Sequence, residues 1–488
     1  MKTTLQAMAA ALTFSAAAAC SSQGREDTDT QASQVTAVPA FTLAAGGSCP
    51  TFHCTPEGTG LMALAVPLGD GGVVWRQSQA LDAGLANAPG AQSCSSDGRD
   101  FTCLYQSGQV TALTVNAADG SVDFALDGGA GGLGTNGTKA AVALVGSDGS
   151  IIVADDVHTQ RRDRTGAVLW DVPAPSNVQG TTIYGITPVV ANGETFAVIT
   201  YSNGTLTPYF ATDGGVRPSL DAGYAPASDP VAHDNTVYYV GIDGSREDGV
   251  LLRIALQLDP ATKQLSLVQR ASFGFTGKTG ASALYLAAGA GPDGGTEPLV
   301  LVHVPTGEGD AGAALDAGSG SHLVAVDPTT LQRVWATPLE GDLAVSPVVD
   351  PVNGGVWLFA KGDSARHLTH VAPSGKVVLR DTIPLSTLGF SPTTEFTGHI
   401  FSTNTDGGTY VLGGVGDDAG TLDAGAVAVV IDVAAKKRVF AAAVPGLASA
   451  SYNGALPLVM LGDGGAGMVF AGVDTGGNHG NVVVLGGK

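Results

Sequence analysis

The apolar positions of the chain fall in short runs that are separated by Gly, Asp and Pro. In a typical stretch, the run His322–Val326 leads to a turn at Asp327 and Pro328, and a second run ends at Trp335. Short apolar or alternating runs bounded by turn residues predict strands joined by hairpins. The chain is therefore expected to consist of many short antiparallel strands.

This unit of run, turn and second run recurs along the chain and usually ends on a large apolar residue. Successive ends are separated by 49, 46, 48, 49, 68, 44 and 61 residues. Four short strands with their turns occupy about this length, which is the size of one propeller blade. We predict an all-β chain that forms a single β-propeller of four-stranded antiparallel blades, eight in number, or seven if the Pro218 repeat is not a blade. The end positions are Trp75, Phe124, Trp170, Pro218, Leu267, Trp335, Leu379 and Phe440.

The large residues at these ends are expected to pack between blades, because each blade must bury both faces against its neighbours. The alternative for the three tryptophans among them is a platform for an aromatic ligand. The residues predicted to pack are Trp75, Phe124, Trp170, Trp335 and Phe440.

Apolar runs continue after the last repeat, between Leu456 and Leu485. Strands there cannot remain an open edge. They are expected to share a blade with N-terminal strands, either near Val35–Leu43 or within the first repeat.

The N-terminus has the pattern of a secretory signal. Lys2 precedes an apolar stretch from Leu5 to Phe14 and a run of small residues that ends at Cys20. Such a stretch is too short to span a bilayer and is typical of a cleaved leader. We expect residues 1–20 to be a signal peptide, residues 21–35 a flexible polar tether, and residues 36–488 the propeller.

Four cysteines remain after Cys20, and an even number in an exported chain predicts disulfides. Cys49 and Cys54 lie before one apolar run, and Cys94 and Cys103 lie before a second run of similar form. This repetition favours the pairs Cys49–Cys54 and Cys94–Cys103, each worth about 2 to 3 kcal/mol. Reactive or metal-binding thiols are the alternative.

The chain has 23 Lys and Arg against 44 acidic residues, of which only 8 are Glu. The deficit of cations makes nucleic acid a poor partner. Asp favours turns, so the acids are expected in loops. Twelve of them begin Asp-Gly-Gly or Asp-Ala-Gly, which we interpret as plain turns rather than Ca²⁺ sites, because each loop offers too few oxygen ligands. They are Asp70, Asp82, Asp127, Asp213, Asp221, Asp293, Asp310, Asp316, Asp406, Asp418, Asp423 and Asp463.

Common catalytic and metal-binding motifs are missing from the sequence, so no catalytic or metal-binding residue is predicted. His367 and His370 are three residues apart, a spacing that points them to opposite faces of a strand. The acidic pair Asp155–Asp156 and the run Arg161–Arg164 are interpreted as a solvated surface. Any ligand site is expected at the mouth of the central channel, where loops from several blades converge.

Both the repeat and the N-terminal pattern resemble known families. The repeat, which ends in forms such as Gly166-Ala167-Val168-Leu169-Trp170, resembles the PQQ-like repeat of quinoprotein-type β-propellers. The run Ala17-Ala18-Ala19-Cys20 resembles a bacterial lipobox, with Ala in place of the usual Leu. The second resemblance implies lipidation at Cys20 and an exported, outer-membrane lipoprotein that faces the periplasm or the cell surface.

Together the resemblances imply a monomeric, non-catalytic binding or scaffold module with protein partners in the cell envelope. The combination is similar to the propeller lipoprotein of the outer-membrane β-barrel assembly machine. One alternative is a quinoprotein dehydrogenase that uses PQQ with Ca²⁺, although the adjacent Cys-Cys pair of the alcohol dehydrogenases is missing. A surface adhesin, a carbohydrate-binding propeller, or a hydrolase or lyase on the same fold also remains open. No cofactor is predicted for the first function.

Overall fold

The chain is described here by a computed structural model. Contacts divide it into two units, Met1–Ala37 and Val38–Lys488, and the first unit lies outside the described residues. The residues that the structure describes are 38–44, 49, 54–56, 61–62, 66–80, 91–106, 110–126, 144–243, 248–275, 283–290, 296–304, 321–341, 347–350, 354–361, 365–384, 386, 395–405, 408–416, 426–432, 435–444, 458–473 and 479–487.

Strands account for nearly all regular structure in these ranges, which contain no α-helix. Within the same ranges, no helix has the length and apolar character needed to cross a bilayer. In chain order the strands are β1 Leu61–Met62, β2 Gly69–Ala80, β3 Ala91–Ser96, β4 Asp100–Gln106, β5 Val110–Asn116, β6 Val122–Leu126, β7 Leu144–Val145, β8 Ile151–Ala154, β9 His158–Arg162, β10 Val168–Pro173, β11 Ile183–Ala191, β12 Glu194–Tyr201, β13 Thr205–Phe210, β14 Leu220–Asp221, β15 Ala225–Pro226, β16 Val231–His233, β17 Thr236–Asp243, β18 Asp248–Leu258, β19 Leu265–Phe275, β20 Ala283–Ala290, β21 Thr296–Val304, β22 His322–Val326, β23 Arg333–Pro338, β24 Val348–Val349, β25 Val356–Lys361, β26 Ala365–Val371, β27 Val377–Pro384, β28 Glu395–Thr405, β29 Gly408–Gly416, β30 Ala426–Asp432, β31 Lys437–Val444, β32 Leu458–Met460, β33 Ala466–Val473 and β34 His479–Gly487.

The burial of the strands follows their position within a blade. β8 and β13 are buried at every residue, because they lie in the middle of a blade that is covered on both faces. The outermost strand β27 alternates between half-buried and exposed residues until it reaches Ile383. Side chains of a strand point alternately to its two faces, so an edge strand that is covered on one side shows this period of two.

The described strands form seven hydrogen-bonded sheets. Six sheets each contain one antiparallel group, namely β3–β6, β7–β10, β11–β14, β15–β19, β20–β23 and β24–β27. The seventh sheet has nine strands and holds two such groups, β28–β31 and a closing group of β32, β33, β34 and β2. A short parallel pairing of Gly69 with Phe440 and of Asp70 with Ala441 joins the two groups. We call each antiparallel group a blade.

These blades make a single β-propeller, as predicted. The seven sheets match the smaller of the two predicted numbers, and the nine-stranded sheet holds two of the eight repeats. The first strands β3, β7 and β11 of three successive blades contact one another, and β16 of the β15–β19 blade continues these contacts to β20. These strands therefore line the central channel. Pro218 lies just before β14 rather than within it, so this repeat forms a blade without a large residue at its end position.

The closing blade combines both ends of the described chain. β2 pairs antiparallel with β34 over most of its length, with Arg76 opposite Val483. The prediction that the last strands share a blade with the first repeat is therefore confirmed, and the alternative near Val35–Leu43 is not the partner. The pairing closes the ring because it leaves no open edge between the last blade and the first.

Contacts between neighbouring blades repeat one arrangement. A large side chain of an outer strand lies over a glycine at the last turn of the next blade, or at the equivalent position in the closing blade. A Cβ added to Gly120 would lie 2.7 Å from the Trp75 ring, and one added to Gly375 would lie 2.5 Å from the Trp335 ring. All five residues predicted to pack take this position, in the pairs Trp75–Gly120, Phe124–Gly166, Trp170–Gly214, Trp335–Gly375 and Phe440–Gly71.

The three tryptophan indoles in these pairs also donate hydrogen bonds to the neighbouring blade. Trp75 donates to the Ala117 carbonyl at 3.2 Å, and Trp170 donates to the Ala211 carbonyl at 3.1 Å. Trp335 donates in the same way to Pro373. Since ring and N–H are both engaged within the fold, these tryptophans have a packing role in the structure.

Candidate functional site

The N-terminal strap lies across one end of the central channel. We define the strap as the described residues of this segment, namely 38–44, 49, 54–56 and 61–62. It makes main-chain contacts with the first strands of four blades. Leu43 bridges to Gly146 beside β7, and Cys49 bridges to Ser96 of β3. The Pro56 carbonyl accepts a hydrogen bond from Ala232 of β16 at 2.7 Å.

The fourth contact of the strap is made by β1, which runs parallel to β28 with Leu61 opposite Ser402. The first two contacts lie on neighbouring blades and the next two on blades farther round the ring, and each lies close to the first hairpin turn of its blade. The described strap residues therefore cover the channel end on the side of these turns.

Arg161 anchors the start of the strap and is fully buried. Its guanidinium donates to the Pro39 carbonyl at 2.6 Å and to Asp148 Oδ2 at 3.1 Å. It also lies 5.1 Å from the centroid of the Phe41 ring. Burial lowers the pKa of Arg161, whereas the charge of Asp148 raises it. A buried cation with this many acceptors ties the strap to the β7–β10 blade.

The expectation of a solvated surface for this part of the chain is wrong. Asp155, Asp156, Arg161 and Arg162 are buried. Asp155 Oδ1 accepts two main-chain N–H groups at 2.6 Å, and Arg162 donates to Gln160 Oε1. Charged groups can be buried where hydrogen bonds replace those of water, and the charge run alone gave no sign of these long-range partners.

Two disulfides lie beside the strap. Cys49 is bonded to Cys54, and Cys94 of β3 is bonded to Cys103 of β4. These are the two pairs that the repeated unit in the sequence favours. The first disulfide closes a short loop within the strap itself, and the second joins directly opposed residues of a hairpin. Because Cys49 also bridges to Ser96, both disulfides support the same channel end.

A cavity of about 300 Å³ opens between the strap and two neighbouring blades. The strap contributes Leu43 and Pro56, β11 contributes Pro188 and Val190, and the turn after β16 contributes Asp234. The remaining lining residues are Thr42, Thr195 and Ala232. We call this cavity the strap pocket. It is mostly apolar, and Asp234 is its single ionisable lining residue among those described.

Two tight hairpins form the rim of the strap pocket. β11 and β12 are joined by Asn192 and Gly193, both with positive φ, which suits a two-residue hairpin loop. β16 and β17 are joined by Asp234 and Asn235, and Asp234 has φ +49°. The Asp234 carbonyl accepts a hydrogen bond from Val190 N–H at 3.1 Å, which fixes one hairpin against the other.

A second cluster of charges joins the first two blades. Arg164 lies 3.0 Å from Asp97 and 2.6 Å from Asp100, both at the turn after β3. Burial raises the pKa of Asp100 to about 6, although Arg164 acts in the opposite direction. Burial also raises the pKa of Asp123. The cluster holds the turn that carries the Cys94–Cys103 hairpin.

The remaining predicted residues are placed as follows. His367 and His370 have separate partners, Thr382 and Asp350, as expected for opposite faces of β26. Cys20, the predicted lipidation site, lies outside the described residues.

Three Asp-Gly turns have the geometry of plain turns, because the carboxylate accepts the N–H group two residues on. They are Asp213, Asp221 and Asp463. Asp70 lies at the start of β2. The other Asp-Gly loops lie outside the described residues.

A PQQ and Ca²⁺ site needs side chains that together can hold the metal ion. No group of three or more His, Cys, Asp or Glu side chains in the described ranges could hold a metal ion. The four described cysteines are paired at separations of 5 and 9 residues, so none forms an adjacent pair. We therefore derive no chemical step through such a site.

Comparison with known proteins bears on the fold. The structure resembles the quinohemoprotein alcohol dehydrogenase from Comamonas testosteroni, with 14% identity and a TM-score of 0.57, over 91% of this chain and 82% of that chain. It resembles a europium-containing methanol dehydrogenase with 11% identity and a TM-score of 0.57, over 90% of this chain and 98% of that chain. The chain folds as a PQQ-like β-propeller.

Other comparisons add little to this propeller assignment. BamB from Moraxella catarrhalis has 14% identity and a TM-score of 0.38, over 69% of this chain and 93% of that chain. No protein-family model and no curated protein matches the sequence. At these identities the likeness concerns the fold, and the function has to be argued from the site.

The sequence predicted a ligand site at the channel mouth, but it did not indicate which residues line the strap pocket. Val190 is an ordinary strand residue in sequence, and Pro56 lies 134 positions before it. The Asn192–Gly193 dipeptide was a local signal for the hairpin. The contact of Pro56 with β16 has no such signal, because it depends on the path of the strap.

Proposed function

We propose that the chain is an exported lipoprotein whose propeller binds other proteins of the cell envelope and does not catalyse a reaction. The observation that carries the proposal is the strap. Propellers commonly admit a ligand where loops converge at the channel mouth. Here the described strap residues lie over one such mouth, with main-chain contacts to four blades.

The proposed location is supported by the disulfides and by the N-terminal pattern. Disulfides persist in oxidising compartments such as the periplasm, so the Cys49–Cys54 and Cys94–Cys103 bonds indicate an exported chain. We infer lipidation at Cys20 and a tether over residues 21–35. The propeller would then be held near the outer membrane by its N-terminal end.

The second candidate is a PQQ-dependent and Ca²⁺-dependent dehydrogenase, favoured by the fold shared with two dehydrogenases. Against it stand the covered channel end and the described acidic and sulfur side chains, which supply no metal site. The two candidates differ in what the purified protein does. A dehydrogenase reduces an electron-accepting dye when PQQ, Ca²⁺ and an alcohol are added, and a binding module does not.

The test combines an anchor measurement with an activity measurement. Cells expressing the full chain are fed an alkyne-tagged fatty acid, and the labelled protein is detected after fractionation of the membranes. We expect label on the wild type and on the control Ser21→Ala, and none on Cys20→Ala, which should leave the membrane fraction.

The activity measurement uses the wild-type chain with PQQ and CaCl₂ and a panel of primary alcohols. We expect no dye reduction above that of buffer with PQQ and Ca²⁺ alone. Unlabelled wild type would overturn the lipoprotein assignment. Saturable dye reduction that requires the protein would overturn the non-catalytic assignment.

A further inference from the structure

The strap pocket has the form of a small binding site that belongs to neither the blade contacts nor the disulfides. We propose that it binds an extended segment of a partner protein in which an apolar side chain lies next to a lysine or arginine. The inference rests on the proposed binding function and adds the surface and the chemistry of the partner.

The apolar part of the proposal follows from the walls of the pocket. Pro188 is buried, Leu43 and Pro56 are half-buried, and Val190 is exposed at the rim with 49% of its surface accessible. An apolar side chain placed among these four would remove all of them from water, which is the main source of affinity in such contacts.

The charged part of the proposal follows from Asp234. Its side chain is 85% exposed, and the neighbouring His233 Nε2 lies 3.6 Å away, longer than a hydrogen bond. The whole chain has a net charge of −21. A carboxylate at the rim of an apolar pocket, on an acidic protein, is complementary to a cation beside the inserted side chain.

The pocket is also held in shape before any partner binds. The Asn192 amide donates a hydrogen bond to the Leu258 carbonyl, and the Asn235 amide donates to the Leu256 carbonyl at 2.9 Å. Both hairpins are thereby fixed to the β15–β19 blade. The Pro56 wall is fixed by its hydrogen bond to Ala232. A preformed pocket loses little entropy on binding, so a short segment can bind it.

The opening and size of the cavity favour a segment over a small ligand. A volume of about 300 Å³ is at the lower limit of pockets that enclose small molecules. The rim strand β11 pairs with β12 on one side, and the pocket continues to the surface at Val190 and Asp234. One side chain and its neighbour would fill this space, and the rest of the segment would lie outside it.

The test uses defined peptides and the whole propeller. Three acetylated and amidated fluorescent peptides with the sequence Gly-Ser-Leu-Xaa-Leu-Ser-Gly carry Lys, Gln or Glu at Xaa. Binding is followed by fluorescence anisotropy, and the site is located by methyl NMR of Leu43 and Val190, with Val378 as a distant exposed reference. We expect the Lys peptide to bind two- to fivefold more tightly than the Gln peptide, and the Glu peptide to bind most weakly.

Variants separate the apolar and the charged contributions. Asp234→Asn keeps a residue that tolerates positive φ and removes the charge, so it should abolish the preference for Lys over Gln. Asp234→Lys should invert the order and favour the Glu peptide. Val190→Thr keeps the shape and lowers the affinity of all three peptides. The control Val378→Thr, on an exposed valine of β27, should change none of them.

The proposal is overturned if no peptide binds, if binding leaves the Leu43 and Val190 signals unmoved, or if Asp234→Lys leaves the order of the peptides unchanged. These results would leave the proposed function intact, since an envelope partner could bind another face. Conversely, charge-dependent peptide binding by a chain that is not lipidated would contradict the lipid anchor and support the binding role of the strap pocket.

Discussion

Gly375 shows how one residue decides the contact between two blades. Its φ is +80°, a backbone conformation that residues other than glycine rarely adopt. The Trp335 ring occupies the space that a Cβ would need. Gly375→Ala should lower the free energy of unfolding by about 2 kcal/mol or more, through backbone strain and the clash with the ring. Urea denaturation followed by tryptophan fluorescence measures the change.

The matched control for this substitution is Gly180→Ala. Gly180 has φ +81° and no atom within 4 Å of an added Cβ, so it carries the backbone strain alone. We expect a loss of about 1 kcal/mol there. Equal losses at both positions would contradict a specific role for the contact with Trp335.

The raised pKa of Asp100 should make the stability of the fold depend on pH. Its pKa is about 6 in the folded chain, against 3.8 for an ordinary aspartate, because burial disfavours the carboxylate. The folded state therefore binds a proton more readily than the unfolded state. Its contribution is most favourable below pH 4 and is lost as the pH rises through 6.

Asp100→Asn should remove this dependence, since asparagine stays neutral. The difference in thermal midpoint between variant and wild type should shift in favour of the variant between pH 4 and pH 7. Asp119→Asn is the control, because Asp119 is exposed and hydrogen bonds to Ser121 lower its pKa. A wild-type profile that is parallel to that of Asp100→Asn would contradict the raised pKa.

Arg161 is expected to hold the strap against the β7–β10 blade. Arg161→Met removes the hydrogen bonds to Pro39, Thr212 and Ser150 and should cost about 2 to 4 kcal/mol. The strap should then be cleaved faster in limited proteolysis, with the cut site located by mass spectrometry. Lys263→Met is the control, because its pair with Glu194 is exposed and should contribute less than about 1 kcal/mol. Unchanged cleavage of the strap in Arg161→Met would contradict the anchor.

At the scale of elements, the strap and the closing blade secure the same end of the chain. β2 begins at Gly69, soon after the last strap residue Met62, and pairs with β34 of the closing blade. Removing the Cys49–Cys54 disulfide by Cys49→Ser with Cys54→Ser should cost about 2 to 3 kcal/mol. Hydrogen exchange should then increase at Ala232 N–H, which donates to Pro56.

The control for the disulfide is the pair Cys94→Ser with Cys103→Ser. These residues lie opposite each other in the β3–β4 hairpin. Their loss should destabilise by a similar amount but leave the exchange of Ala232 unchanged. Faster exchange of Ala232 in both variants would indicate a general loss of stability instead of a local role for the strap disulfide.

The elements that could be predicted are those specified by neighbouring residues. Alternation, Asp and Gly turns and a large final residue recur within each repeat, so the strands, the blade size and the packing of Trp75, Trp170 and Trp335 were within reach of the sequence. Both disulfide pairs followed from a repeated local unit. The path of the strap could not be predicted from the sequence, because Leu43, Cys49 and Pro56 contact blades that are distant in the chain.

The burial of Arg161 shows the same limit for the candidate site. In sequence, the run Arg161–Arg164 has the composition of an exposed surface. Its partners are Pro39, Asp148 and Thr212, which three different parts of the chain supply. Only the closed ring brings them together, and the strap pocket depends on the same long-range arrangement.

At the scale of the whole molecule, several cations of the described residues pair with acids of a neighbouring blade. Arg164 joins the β7–β10 blade to the β3–β6 blade, and Lys263 pairs with Glu194 of the β11–β14 blade. Arg380 pairs with Glu340 of the β20–β23 blade. Over the whole chain the acids exceed Lys and Arg by 21. A net negative charge of this size favours basic partners.

The central claim is that this propeller works by holding a protein partner, and crosslinking in living cells tests it most directly. A photo-crosslinking amino acid is placed at Val190 on the strap side, at Asn203 in a turn on the other side, and at Val378 on an outer strand. The tagged full chain is irradiated, extracted in detergent and analysed by mass spectrometry. We predict a discrete adduct with one envelope protein, formed from position 190 and not from 378. Recovery of the unmodified chain alone from all three positions, together with PQQ-dependent dye reduction by the purified protein, would contradict the account.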